Sequence, residues 1–173
     1  MDLEPSRALI YWVGQVAIQF AYLEDKLGEV IEVAEPLMAL PKMSQTWDDF
    51  YSRNFRTRAD YVRSQLLKFC DGLPASATID SHKEEIVRFL TKCAEASDTR
   101  NAILHSSSVE DAALGPIVRT QKRAARPRSR AASPAMAMTA ADVKAFVICL
   151  TTIQNGVRGL EFAINRLLQA KAP

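Results

Sequence analysis

The chain has 173 residues, 48% of them hydrophobic and 24% charged, with a formal net charge of +2. These proportions suit a globular domain with a real core and exclude a wholly disordered chain. The small net charge hides an asymmetry: residues 119–130 carry Arg119, Lys122, Arg123, Arg126, Arg128 and Arg130 and no acid, so the rest is mildly acidic.

Asp2 and Glu4 precede any apolar run, whereas a secretory signal opens on positive charge, so no signal is expected. A first helix is predicted from about Ser6 to Ala34. Its apolar residues Leu9, Trp12, Val13, Val16, Phe20, Leu23, Leu27, Val30, Ile31 and Ala34 fall mostly three and four apart, on one face. Pro5 and Ser6 suit its start and Pro36 its end. The apolar run from Ala8 to Ala21 is short for a bilayer and is interrupted by Gln15 and Gln19, so no membrane span is expected.

Residues 35–55 read as a loop with a short turn, because Pro36 and Pro41 break helix. Its aromatics Trp47, Phe50, Tyr51 and Phe55 are expected to cap one end of the core. A second helix is predicted from about Arg56 to Asp71, with Tyr61, Leu66, Leu67 and Cys70 inward, ended by Gly72 and Pro74. A third runs from near Ile79–Ser81 to about His105. Its stripe is Ile86, Leu90, Cys93, Ser97, Arg100 and Leu104, ended by Ser106-Ser107-Ser108.

Residues 109–138 read as an insertion: Ile117–Thr120 suits a short strand, and 121–138, rich in Ala, Arg, Ser and Pro, is expected to be mobile. The last helix starts at Thr139 as N-cap, with Asp142 favouring the helix dipole. Its stripe is Phe146, Cys149, Ile153, Gly156, Leu160, Ala163 and Leu167, with Gly156 marking a close helix crossing.

Four apolar stripes imply an all-α, up-down four-helix bundle, one domain over 1–173, with a basic, mobile insertion before the last helix. Cys70, Cys93 and Cys149 form no Cys-x-x-Cys pair and read as buried free thiols in a reducing cytoplasm. No metal site or cofactor is expected. His82, beside Glu84 and Glu85, reads as solvent-exposed.

Arg100 needs a reason to lie on a core-facing stripe, because burying a charge is costly unless it is paired. Glu24, Asp25 and Glu29 on the first helix are candidate partners, with Glu24 next to inward-facing Leu23. Five residues of ideal helix turn the chain by roughly 500°, so Arg100 and His105 point about 140° apart. Asn101 and His105, four apart, share a face. Convergence of Arg100 and His105 requires an unwound helix end or a second subunit.

The segment Arg100-Asn101-Ala102-Ile103-Leu104-His105 resembles the Arg-x4–6-His motif of HEPN domains, in which a polar residue commonly follows the arginine. The context is similar too: a long first helix carrying Phe20-Ala21-Tyr22-Leu23-Glu24, a middle helix pair, and a long last helix. The resemblance covers most of the chain, with residues 109–138 the poor match. It implies a metal-independent endoribonuclease, of the kind found among toxins and antiviral effectors, that dimerises to form one cleft from two motifs. His105 would then be general acid or base, Arg100 would hold the scissile phosphate, and Asn101 would orient His105 or the phosphate, with Glu24 in support. It also implies a cognate antitoxin or other partner protein. Arg119, Lys122, Arg123, Arg126, Arg128 and Arg130 would attract the RNA backbone, without aromatics for base stacking.

Two rival readings stand beside it. One is a non-catalytic helical interaction module in which Arg100 and His105 are structural. The other is a nucleic-acid-binding protein working through residues 119–130.

Overall fold

The computed structural model describes residues 4–42, 44–111, 113–119 and 137–171. Five α-helices dominate: α1 Pro5–Ala34, α2 Trp47–Tyr51, α3 Phe55–Asp71, α4 Ala77–Leu104 and α5 Ala140–Lys171. A 3-10 turn, Glu35–Leu37, follows α1. The described chain is thus mostly helical, as expected, with three short strands added to the helices: β1 Ser107–Asp111, β2 Gly115–Arg119 and β3 Ala137–Thr139. No described helix is long and apolar enough to cross a membrane.

The strands form one antiparallel sheet with β2 in the middle. A tight turn joins β1 to β2. The Asp111 carboxylate accepts from the backbone N–H groups of Ala113 at 3.0 Å and Leu114 at 3.2 Å. Gly115 follows at φ +69°, a conformation that costs glycine little. Three to five residues per strand leave too little alternation for the sequence to announce a sheet. The strand expected at Ile117–Thr120 overlaps β2. Residues 120–136, where mobility was expected, lie outside the described residues.

The chain divides into two compact units, Met1–Phe20 with Asp98–Thr151, and Ala21–Ser97 with Thr152–Pro173. The first unit has a core of Leu9, Val16, Ile103, Val118, Met138, Val143 and Val147, with Trp12, Val13, Leu104 and Phe146 packed on it. Here α5 begins on a reciprocal cap. The Thr139 hydroxyl accepts from the Asp142 N–H at 3.3 Å, and the Asp142 carboxylate accepts from the Thr139 N–H at 2.8 Å and its hydroxyl at 2.7 Å.

The second unit buries Leu23, Leu27, Ile31, Phe50, Val62, Leu66, Ile86, Leu90, Leu160 and Ile164. The segment expected as a loop contains the five-residue α2, capped by the Thr46 side chain. Buried Phe50 packs edge-on against Trp47 and Tyr61. A Cβ on Gly156 would lie 3.4 Å from the Phe89 side chain, at the edge of ordinary contact, so the packing there does not require glycine.

Cys70 and Cys93 are buried, but Cys149 is exposed, against expectation. Val147 and Leu150, not Cys149, face inward on α5. Burial pushes the Cys93 thiol up to about 12.

Candidate functional site

The motif occupies the last turn of α4 and the residue beyond it. The final i to i−4 bond runs from the His105 N–H to the Asn101 carbonyl at 3.1 Å. The Ser106 N–H then bonds to the Ile103 carbonyl at 3.2 Å, which tightens the turn and ends the helix. Strand β1 starts at the next residue, so pairing with β2 takes over where helical bonding stops.

Ile103 anchors this turn in the core of the first unit, and Leu104 is only half-buried. The inward residue is therefore Ile103 and not the expected Leu104, because the end of α4 packs in the core of the first unit, whereas Ile86 and Leu90 belong to the second. Arg100 and Asn101 are half-buried, and His105 is exposed on the turn.

Arg100 is held in two ways. Its Nη1 donates to Asn101 Oδ1 at 2.9 Å, and its guanidinium carbon lies 5.1 Å from the centre of the Phe20 ring. A cation over an aromatic face gains about 0.5–2 kcal/mol, more as water is excluded. The Arg100 Nε is buried and has no hydrogen-bond partner among the described residues. A buried donor without a partner costs about 1–3 kcal/mol, so the ring contact and the lost donor roughly offset. Within the described residues no carboxylate pairs with Arg100.

Of the three acids expected to compensate Arg100, Asp25 is exposed and the other two are engaged elsewhere. Glu24 accepts from the Arg58 guanidinium at 3.4 Å, and Glu29 pairs with Lys26. Arg58 is itself buried. Glu24 thus compensates a buried arginine, but that arginine is Arg58, which the sequence groups with Arg53, Arg56 and Arg63 as an ordinary basic helix surface. Phe20 was also missed as a site residue: it reads as one more apolar position, and nothing in its spacing shows that a cation rests on it.

Asn101 is placed differently from the role carried by the resemblance. Its side-chain oxygen is engaged by Arg100, so it orients the guanidinium and meets His105 through backbone only. Of the basic set, Arg119 ends β2 and pairs with Asp111 across the hairpin at 3.0 Å. Lys122, Arg123, Arg126, Arg128 and Arg130 lie outside the described residues.

Two clefts lie within the second unit. One, of about 610 Å³, is lined by Tyr22, Lys26, Gln154, Asn155, Arg158 and Glu161 among others. The other, of about 300 Å³, is lined by Thr78, Ile79, His82 and Arg166. His82 is half-buried, not exposed as expected, and its Nε2 lacks a partner among the described residues. Neither cleft includes Arg100, Asn101 or His105. Among the described residues no group of three His, Cys, Asp or Glu side chains is placed to hold a metal ion.

Comparison of the chain with protein-family profiles, with curated proteins and with solved structures gives no match.

Proposed function

We propose that this chain is a HEPN-like, metal-independent endoribonuclease of the toxin or defence-effector kind, acting in the cytoplasm as a homodimer with one composite site. In this reading α1, α3, α4 and α5 are the four helices of an up-down bundle, and the sheet is an addition before the last of them. The observation that carries the reading is Arg100: a half-buried guanidinium fixed by Asn101 and Phe20 with no described carboxylate against it. A cation so held is pre-oriented for a phosphate and is not neutralised beforehand.

His105 suits proton transfer because it is exposed at the helix end, where a substrate reaches it. One copy's His105 takes the proton of a ribose 2′-hydroxyl, whose oxygen attacks the adjacent phosphorus. The other copy's His105 gives a proton to the departing 5′-oxygen. Arg100 balances charge on the phosphate oxygens as the bond to that oxygen breaks. The products are a 2′,3′-cyclic phosphate and a 5′-hydroxyl. A second copy brings another Arg100 and His105 to the same phosphate, which one regular helix end does not do, since an ideal helix turns the two residues about 140° apart. A cognate antitoxin or other partner protein belongs to the same proposal.

The test is cleavage of single-stranded RNA in EDTA by the purified chain, with cyclic phosphate ends. His105→Ala and Arg100→Ala are expected to abolish it.

A second reading, a non-catalytic interaction module, is favoured by the buried Arg100 Nε, which ties this side chain to packing. A sharp fall in melting temperature in Arg100→Ala, with no RNA cut by the wild type, would select it.

A further inference from the structure

The first unit holds its cations in two ways. Arg7 pairs with Glu4 at 3.7 Å and Arg119 with Asp111 at 3.0 Å. The other described lysine and arginine of this unit, Lys144 and Arg100, pair with no described carboxylate. Each lies on an aromatic ring of α1 instead. Arg100 is 5.1 Å from the centre of Phe20, and the Lys144 Nζ is 5.4 Å from the centre of Trp12. A ring holds a cation without neutralising it. Asp142, two residues before Lys144, is committed to the Thr139 cap.

Trp12 and Phe20 are eight residues apart on one helix, about 12 Å along its axis and about 80° around it. Lys144 and the motif are also seated on one core. Val143 and Ile103 belong to the same buried cluster, and Trp12 and Leu104 both pack against it. Tyr11 meets the Trp12 ring edge-on at 5.0 Å, which fixes the platform under the ammonium. Lys144 is exposed, so a ligand reaches it.

We infer that Lys144 binds a second phosphate of the RNA strand whose scissile phosphate Arg100 holds. The inference deepens the proposed function and rests on it for the role of Arg100. A stacked strand carries one charge per about 3.4 Å of its axis, so about 12 Å reaches three or four nucleotides from the cut. The two cations suit different tasks. A planar guanidinium orients the phosphate that reacts, whereas an ammonium on a flexible stem takes a phosphate in any orientation. Trp12 is half-buried and has the ammonium over its face, so its task is to place Lys144 and not to stack a base. The contact is with the backbone and carries no sequence preference.

The test separates binding from cleavage. The full chain carrying His105→Ala, unable to cut in the proposed reading, is titrated in EDTA with a fluorescein-labelled single-stranded RNA ten nucleotides long. Anisotropy is read at several salt concentrations between about 25 and 300 mM. Each phosphate contact on a single strand adds about 0.7 to the slope of log affinity against log salt. Adding Lys144→Gln should therefore flatten the slope by about 0.7 and weaken binding about fivefold at about 0.1 M salt. Lys144→Arg should restore both, and Arg7→Gln, which removes a cation already paired with an acid, should leave the slope unchanged. With Trp47→Phe added, Trp12 is the one remaining tryptophan. Its emission should shift as RNA draws the ammonium off the ring, and should not shift in the same way in Lys144→Gln.

A slope that Lys144→Gln leaves unchanged would overturn the inference, even where the wild type cuts RNA. A lower melting temperature in Lys144→Gln with that unchanged slope would assign the lysine to packing on Trp12. No RNA binding by the folded chain at the lowest salt would overturn the inference too. The expected loss of slope together with no cleavage by the wild type would keep Lys144 as a phosphate site and remove the ribonuclease proposal alone.

Discussion

Arg100 rests its guanidinium 5.1 Å from the centre of the Phe20 ring while Asn101 accepts one of its N–H groups. An aromatic face takes the place that an acid was expected to fill. The difference matters for function, because a carboxylate would neutralise the arginine and a ring does not.

Arg100→Met separates the structural from the catalytic role. Methionine fills similar space on Phe20 and removes the buried Nε that lacks a partner. Stability by urea titration is expected to stay within about 1 kcal/mol of wild type or rise, while RNA cleavage is lost. A large loss of stability would assign Arg100 to the packing.

Phe20→Leu keeps an apolar residue in the core and removes the ring. Stability is expected to fall by about 1–3 kcal/mol from lost packing and lost ring contact. Cleavage should fall by more than the folded fraction does, because Arg100 loses its platform. Activity that tracks the folded fraction alone would show that the ring does not position the arginine.

Glu24→Gln addresses the second arginine. Arg58 is buried, its Nε has no described partner, and Glu24 is its counter-charge at 3.4 Å. Removing the charge is expected to cost about 1–2 kcal/mol, moderated because Glu24 is partly exposed. Cleavage by the folded protein should be unchanged, since Glu24 serves Arg58.

Asp142 ties stability to pH. Hydrogen bonds from the Thr139 hydroxyl and backbone N–H hold its carboxyl below the usual carboxylate range. A carboxyl lowered in the folded state adds stability above its unfolded value of about 3.9, and this is lost as pH falls through the folded value. The difference in melting temperature between wild type and Asp142→Asn should therefore be full at neutral pH and vanish on acidification below about 4. A constant difference down to the lowest pH would contradict the cap.

The long helices were legible because their apolar residues recur every three or four positions over many turns: α1 and α3 begin within one residue of the predicted starts, and the cap at Thr139 announced α5. The sheet was not, because its strands are too short to show a period and its hairpin depends on one carboxylate and one left-handed glycine. The motif was visible as a string, and so was the oddity of an inward arginine. Its partner was not, since the choice between Glu24 and Phe20 is decided by where α1 meets the end of α4. The exposure of Cys149 escaped for a similar reason: a stripe read in steps of three and four admits neighbouring residues, and Leu150 took the inward place.

The most direct test is RNA cleavage in EDTA by wild type, His105→Ala and Arg100→Met, each confirmed folded by circular dichroism. The account predicts 2′,3′-cyclic phosphate products from the wild type and none from either variant. Equal cleavage by all three, or none by a folded wild type at concentrations where it is dimeric, would contradict it.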